Sequence, residues 1–304
     1  MIITSRAPVR IDFAGGWTDV DIFAKSVGGA VLNAAIDKFV TGRLEILDGS
    51  VGPDGEHRDG ITISYRSELP AGSGLGTSSA LNVVWLSLVK SHIANTEDRK
   101  TIANLAYELE AILGILGGKQ DQYASALGGF NFMTFRDKVE VEPLDVPPGI
   151  VKELEDRLVL CYTGKPRLSG NIHENVWGAY RRGAPETVNA LYNLRDIATS
   201  MRDVLLAGRL DEFAELMNRN WECQKKLDAS ITNDQIEELF EEAFKHGAMS
   251  GKACGAGGGG CLLFLTKLNR RKNVEKVVEQ LGPPGRIIPF RFEFRGLQIT
   301  NSSG

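Results

Sequence analysis

The sequence has no apolar run long enough to cross a bilayer. Its greasiest stretches, residues 112–116 and 261–265, are only five residues each, against roughly 20 for a membrane helix. Its first ten residues hold no apolar segment of signal-peptide length. Cysteine is scarce: the four, at positions 161, 223, 254 and 261, form no CxxC pair, and the four histidines at 57, 92, 173 and 246 are equally scattered. These spacings argue against a zinc site and a disulfide framework, and free thiols lead to an expectation of the cytoplasm. Neither sign of charge dominates, with 35 Lys and Arg against 39 Asp and Glu. Nothing in that balance points to nucleic acid or a membrane surface as a partner. There is also no internal repeat and no long low-complexity tract.

Glycine is what the sequence has in excess: 34 of 304 residues, above the usual share of roughly 7%. The glycines cluster at 15–16, 28–29, 72/74/76, 117–118, 128–129 and 255/257–260. Clustered glycine marks backbone brought close to something else. The apolar content of 42% and charged content of 24% are those of a folded globular chain.

Periodicity predicts a mixed α+β chain. Residues 9–13, 40–47 and 61–65 read as strands, with a polar loop over 48–59, and 77–94 as a helix following a glycine-rich loop. Asn95 opens a further helix carrying Leu105, Leu109, Ile112 and Leu113, and 130–135 with 139–141 reads as a hairpin. The Pro147-Pro148 pair marks a boundary between domains over 1–149 and 150–304. Beyond it come a strand at 158–162, helices over 169–182, 185–206, 211–227 and 233–244, then a strand, the glycine run, a strand at 261–265, a helix at 272–281 and a final strand at 287–295. Strands and helices do not alternate strictly, so α+β layers are expected and not a doubly wound parallel sheet.

The strongest signal is residues 69–80, Leu-Pro-Ala-Gly-Ser-Gly-Leu-Gly-Thr-Ser-Ser-Ala. Glycines at alternate positions let backbone N–H groups converge, and the helix that follows turns its free N–H groups and dipole to the same point. Thr77, Ser78 and Ser79 add hydroxyls for phosphate oxygens or Mg²⁺. Pro70, Gly72, Ser73, Gly74, Leu75, Gly76, Thr77 and Ser78 are therefore expected to hold the phosphates of a nucleotide. No Lys-Ser/Thr pair follows the last glycine, so this is not a Walker A loop, and the spacing is wrong for a dinucleotide fingerprint. The second run, 255–260, happens to match GxGxxG but opens no helix. A tight hairpin would explain part of it; four consecutive glycines suggest a loop closing over substrate or phosphates, with Gly257 and Gly258 touching substrate.

Phosphoryl transfer requires a positioned hydroxyl, a carboxylate, a divalent cation and cationic charge near the transferring group. The chain offers Asp121 beside Lys119, Arg10, Asp12 and Asp19 in the opening turn, and Glu110 on the preceding helix. With these in place, the sequence resembles the GHMP kinase superfamily. The resemblance rests on three motifs in order: Arg6-Ala7-Pro8-Val9-Arg10-Ile11-Asp12-Phe13-Ala14-Gly15-Gly16-Trp17-Thr18-Asp19, then 70–80, then 252–261.

The resemblance implies a ribosomal-S5-like N-terminal domain, a ferredoxin-like C-terminal domain with added helices, and an active site between them. It implies ATP and Mg²⁺ as cofactors. Asp121 corresponds to the catalytic aspartate, Arg10 to the arginine beside it, Ser79 and Glu110 to Mg²⁺ ligands, and Asp19 with Gly16 and Trp17 to the sugar site. Galactokinases carry Gly-Glu-His-x-Asp where this chain has Gly15-Gly16-Trp17-Thr18-Asp19, which disfavours galactose. The motifs instead look like the branch of D-glycero-D-manno-heptose 7-phosphate kinases, fucokinases and glucuronokinases, which act on the anomeric hydroxyl. Lys165 and Arg167 are candidates to meet a substrate phosphate. The partner expected is a small sugar or sugar phosphate, for a monomer or homodimer. Rival readings are a kinase of a non-sugar acceptor such as homoserine or mevalonate, and a catalytically silent protein that binds ATP and sugar as a regulator.

Overall fold

The computed structural model describes residues 1–51, 57–166, 170–281 and 286–302. In chain order the elements begin with β1 (Ile2–Ala14), α1 (Asp21–Val27), β2 (Gly29–Val51), β3 (His57–Ser67), α2 (Thr77–Lys90), α3 (Thr96–Ile112), α4 (Gln120–Leu127), β4 (Phe130–Phe135) and β5 (Val139–Leu144). They continue with α5 (Pro148–Arg157), β6 (Leu158–Tyr162), α6 (Gly170–Arg181), α7 (Pro185–Leu206), α8 (Leu210–Lys225) and α9 (Asp234–Lys245). The last elements are β7 (Ala248–Ala253), β8 (Cys261–Thr266), α10 (Arg271–Leu281), β9 (Arg286–Ile287) and β10 (Gln298–Ser302). Among the described residues no helix is long and apolar enough to cross a membrane.

Two antiparallel sheets organise these elements, which makes the fold α+β as expected. The first has the order β10-β1-β2-β4-β5, with β3 also paired to β2. Strand β2 is 23 residues long and so reaches two partners on one side, β4 through Gly29–Ala34 and β3 through Val40–Val51. Its register with β1 slips between Asp12 and Ala14, an irregularity of the kind that re-aims side chains beside active sites. The second sheet has the order β7-β8-β6-β9. A helical stretch joins β6 to β7 and α10 joins β8 to β9, the split β-α-β arrangement of ferredoxin-like folds.

The hydrophobic core does not stop between the sheets. Phe13 of β1 meets Phe213 of α8 edge-on at 5.4 Å and faces Phe292 at 6.3 Å, and Phe130 of β4 lies 4.4 Å from Phe292. Ile197, Met201 and Met217 of α7 and α8 belong to the same cluster of buried side chains. The strand that carries Arg10 and Asp12 is thereby fixed against helices from the second half of the chain.

Several sequence expectations are corrected. The strand predicted at 40–47 begins at Gly29, because Gly28 alone makes the turn, at φ +83°. The predicted loop over 48–59 is narrower, since β2 runs to Val51 and β3 starts at His57; residues 52–56 lie outside the described residues. The helix predicted to Ala94 ends at Lys90, where Ser91 turns left-handed at φ 56°. The final strand predicted at 287–295 is short. After Ile287 the chain runs irregularly, burying Phe290, Phe292 and Leu297, turns at Gly296 (φ +63°) and returns as β10 alongside β1. Burial of alternate side chains made this stretch look like a strand, although it has no ladder partner beyond an isolated bridge from Phe292 to Ile36.

That return is part of the core. Leu297 is 1% exposed and its N–H donates to Ala126 O at 3.1 Å. Leu297→Ala should destabilise the chain by about 2–5 kcal/mol, read as a lower denaturant midpoint with an unchanged slope. A shift under about 0.5 kcal/mol would show that the returning segment is not integral to the fold.

Candidate active site

The loop expected to hold phosphates is built by its glycines. Gly72, Gly74 and Gly76 have φ of 73°, 77° and 77°, a left-handed conformation that costs other residues about 1–2 kcal/mol each. Between them Ser73 and Leu75 turn inward and are fully buried. Three bonds pin the loop: Arg10 N–H to Leu75 O (3.0 Å), Arg10 Nη1 to Gly74 O (2.8 Å) and Cys261 N–H to Ser73 O (2.7 Å). Helix α2 starts immediately after Gly76 with no side-chain cap, so its first N–H groups remain available to an anion. The loop borders a cavity of about 500 Å³ whose walls include Val40, Tyr65, Leu69 and Leu81 as well as Gly72–Gly74 and Gly76–Ser78. Apolar walls beside a cradle of N–H groups and hydroxyls suit a flat base joined to phosphates.

A second, smaller cavity of about 140 Å³ adjoins it, lined by Asp12, Gly16, Trp17, Asp19, Ser79, Glu110, Gly118, Gln120 and His173 among others. Arg10, Ser78 and Asp121 line both cavities. Arg10 Nε donates to Asp121 Oδ1 at 2.7 Å, and its Nη1 also reaches Cys254 O at 3.0 Å. Burial works against the charged guanidinium, but Asp121 and Asp12 outweigh it and push the Arg10 pKa up.

Three aspartates share this interior. Lys252, 0% exposed, places Nζ 2.9 Å from Asp12 Oδ2 and 2.7 Å from Asp12 O. Asp19 accepts from Gln120 N–H at 3.0 Å. Burial first, then repulsion from Asp121 and Asp12, lifts the Asp19 pKa from 3.8 to about 7. The carboxylates lie so near the backbone that glycine is required beside them. A Cβ on Gly118 would overlap the Asp19 carboxylate, and one on Gly16 would overlap Asp12 Oδ2.

Glu110 is held by three side chains. Asn82 donates to its Oε1 at 2.9 Å, Gln122 to its Oε2 at 2.8 Å, and the Ser79 hydroxyl donates as well. Burial raises its pKa despite these bonds. A buried carboxylate touching a hydroxyl at the mouth of the phosphate loop is a donor set of the hard-oxygen type that suits Mg²⁺ shared with phosphate oxygens and water. Among the described residues no group of three or more His, Cys, Asp or Glu side chains is arranged to hold a metal ion.

The structure brings together most of the residues singled out in the sequence. Arg10, Gly16, Trp17, Asp19, Ser78, Ser79, Glu110 and Asp121 all line the smaller cavity. Others stand elsewhere. Lys119 Nζ is 2.6 Å from Asp21 Oδ1 and 4.7 Å from the centre of the Tyr107 ring, and it lines neither cavity. Gly257 and Gly258 press against Ser230 and Ile231; the turn lines the cavity through Cys254, Gly255 and Ala256 instead. Gly260 backs Ser73 of the phosphate loop. Pro70 and Leu75 shape the loop without lining the larger cavity. Lys165 is exposed, and Arg167 lies outside the described residues.

Sequence reasoning missed the Asp12–Lys252 pair. Lys252 opens the third glycine-rich motif, and its position ahead of that run was the one available signal. Val40 and Tyr65 were missed too, because neither stands in a motif.

Comparison with known proteins agrees with this geometry. The family model described as the GHMP kinases N terminal domain matches residues 38–129, and that described as GHMP kinases C terminal matches residues 201–283. A D-glycero-alpha-D-manno-heptose 7-phosphate kinase of Campylobacter jejuni is 30% identical over 97% of this chain and 98% of its own. A bifunctional fucokinase/GDP-fucose pyrophosphorylase of Arabidopsis thaliana is 29% identical over 86% of this chain, which spans 29% of that protein. Among solved structures, a D-glycero-D-manno-heptose 1-phosphate kinase from Bacteroides thetaiotaomicron superposes with a TM-score of 0.74 at 29% identity, covering 99% of this chain and 100% of the other.

The raised Asp19 pKa has a sign that can be checked. The folded chain keeps a proton there that the unfolded chain releases above its ordinary pKa of 3.8. The stability linked to this proton is fully present below about pH 4 and is lost as pH rises through about 7. Relative to Asp19→Asn, the wild type should therefore lose on the order of 2–3 kcal/mol between pH 5 and 8. Parallel stability–pH curves for the two proteins would contradict the assignment.

Proposed function

Because the chain belongs to the GHMP kinase family, we propose that it is an ATP-dependent kinase that phosphorylates the anomeric hydroxyl of a sugar, with D-glycero-D-manno-heptose 7-phosphate as the substrate. The observation that carries the proposal is the meeting of two cavities at Arg10, Ser78 and Asp121. The larger has the walls for a nucleotide and the smaller is polar and compact. A group passing between them must pass that arginine–aspartate pair. The heptose phosphate is supported by the Campylobacter relative and the Bacteroides structure, which together match nearly the whole chain. Four free cysteines, three of them buried, support a reducing compartment such as the cytoplasm.

In this reading the N–H groups of Gly72–Gly76 and the start of α2 hold the β- and γ-phosphates. Val40, Tyr65, Leu69 and Leu81 receive the base. Ser79 and Glu110 would hold Mg²⁺, which would supply charge neutralisation on the phosphate oxygens. Asp121 accepts a hydrogen bond from the reacting hydroxyl, orients it and takes its proton as the phosphoryl group transfers. Arg10 faces the transferring group and offsets its charge while fixing the Asp121 carboxylate at 2.7 Å. Phosphoryl transfer has a loose transition state, so this geometry matters more than the basicity of Asp121.

A second acceptor, L-fucose, is favoured by one observation. Among the described residues, Arg10 is the only lysine or arginine that lines the smaller cavity, and a sugar without its own phosphate needs no further cation. The Arabidopsis relative is consistent with it.

Asp121→Asn should lower kcat by on the order of 100-fold or more, measured per folded molecule because the substitution also removes the counter-ion of Arg10. Turnover near that of the wild type would remove Asp121 from the chemistry. ADP release with MgATP and each of D-glycero-D-manno-heptose 7-phosphate, L-fucose, D-glucuronate, galactose, mannose, homoserine and mevalonate separates the acceptors. Activity on homoserine or mevalonate alone would overturn the sugar reading. ATP binding with no turnover of any acceptor would indicate a silent regulator.

A further inference from the structure

One wall of the smaller cavity is unlike the rest. Between Glu110 and Lys119 the chain reads Ala-Ile-Leu-Gly-Ile-Leu-Gly-Gly, and Ile115, Leu116, Gly117 and Gly118 of this stretch border the cavity. Its aliphatic side chains stand in water: Ile112, Leu113, Ile115 and Leu116 are 82%, 64%, 52% and 43% exposed. None of the four belongs to a buried cluster or packs against one. Neighbouring apolar side chains left in solvent mark a surface that is covered in some state of a protein. Here two of the four already border a site.

The stretch is held only at its ends. At its start the Glu110 carboxylate is fixed by Asn82 and Gln122, and Ile115 N–H donates to Glu110 O at 2.9 Å. At its end Gly118 lies against the Asp19 carboxylate, Lys119 Nζ is 2.6 Å from Asp21 Oδ1, and Gln120 N–H donates to Asp19. Between these anchors, no backbone–backbone hydrogen bond joins Leu116, Gly117 or Gly118 to another described residue. Gly114 turns at φ +73°, and neither it nor Gly117 has an atom within 4 Å of where a Cβ would stand. Firm ends, glycine pivots and an unbonded middle place this stretch among the segments that open and close most readily.

We propose that residues 112–118 are a flap that closes over the smaller cavity once nucleotide and acceptor are both in place, and that Ile115 and Leu116 thereby decide between acceptor and water. The proposal rests on the smaller cavity being the acceptor site. Water in that cavity competes with the acceptor: its oxygen adds to the γ-phosphorus as the bond to the ADP oxygen breaks, giving ADP, inorganic phosphate and a proton. Asp121 is partly exposed and can orient a water as well as a sugar hydroxyl. Two aliphatic side chains laid over the acceptor fill the space that water would occupy and offer it no hydrogen bond. The flap starts beside Glu110 and ends just before Asp121, so its closing is tied to the groups assigned to the metal and to the reacting hydroxyl.

The test uses the full chain with Mg²⁺, the β,γ-imido analogue of ATP and the acceptor that the chain turns over. Amide hydrogen exchange of residues 112–118, read by mass spectrometry, should be fast in the free protein and with either ligand alone, and about 10-fold slower with both. Exchange that is the same in all four states, or already slow in the free protein, overturns the proposal. The double variant Ile115→Ser, Leu116→Ser should fold like the wild type, because both side chains are exposed. With MgATP and acceptor it should form about 10-fold more inorganic phosphate per phosphorylated acceptor, with the KM for ATP within about twofold. A merely structural loop would change the rate and not this ratio, so a wild-type ratio in the variant also overturns the flap. Closure over homoserine or mevalonate, with no sugar phosphorylated, would overturn the sugar reading and uphold the flap. A chain that binds ATP and turns over no acceptor would overturn both.

Discussion

Arg10 ties together the parts of the chain that have to act together. From β1 its guanidinium reaches Asp121 at the start of α4, the carbonyl of Gly74 in the phosphate loop and the carbonyl of Cys254 in the glycine-rich turn, while its own N–H holds Leu75. Four segments far apart in sequence are thereby fixed around one planar cation. Arginine does this where lysine cannot, because its donors form a fixed fork. Only 5% of the residue is exposed, so loss of Asp121 would leave a buried charge without its counter-ion, a change of the kind that costs about 3–5 kcal/mol. One guanidinium both orders the loop and sets the carboxylate, so in the proposed mechanism binding and chemistry share one support.

Around that support lie three aspartates, Asp12 and Asp19 buried and Asp121 partly exposed, and two buried cations, Arg10 and Lys252. Two of the aspartates have a cation each and the third does not. Burial first, then repulsion from Asp121 and Asp12, raises the Asp19 pKa to about 7. The site therefore offers an arginine-bound aspartate, a lysine-bound aspartate and an aspartate able to carry a proton near neutral pH. Three aspartates of the same chemistry have been given different hydrogen-bonding characters by their neighbours alone. That diversity suits a ring bearing several hydroxyls, each of which both donates and accepts.

The glycine-rich loop before α2 was legible in the sequence because its physics is local. Alternate glycines and a helix start need only neighbouring residues to make an anion cradle. Arg10, Asp19, Ser79, Glu110 and Asp121 were legible only as a set, through their place in motifs. Lys119 shows the limit of adjacency: two residues from Asp121 in sequence, it turns to Asp21 and Tyr107, and the buried cation beside the carboxylates is Lys252, 240 residues from its partner Asp12. The glycines at 257 and 258 misled in a similar way. Their density signals close approach, but what approaches is the Ser230–Ile231 turn. The segment after Ile287 alternates in burial like a strand, and only docking of its phenylalanines into the shared core shows that it is not one.

If a phosphoryl group crosses from the larger cavity to a sugar in the smaller one, it does so at the Arg10–Asp121 pair. Phosphorus-31 NMR of the wild type with MgATP and D-glycero-D-manno-heptose 7-phosphate tests this directly. Such a transfer gives a second sugar-bound phosphorus signal, coupled to the anomeric proton, growing in step with ADP and suppressed in Asp121→Asn. Formation of ADP with inorganic phosphate alone, or the same sugar product at the same rate from Asp121→Asn, would contradict it.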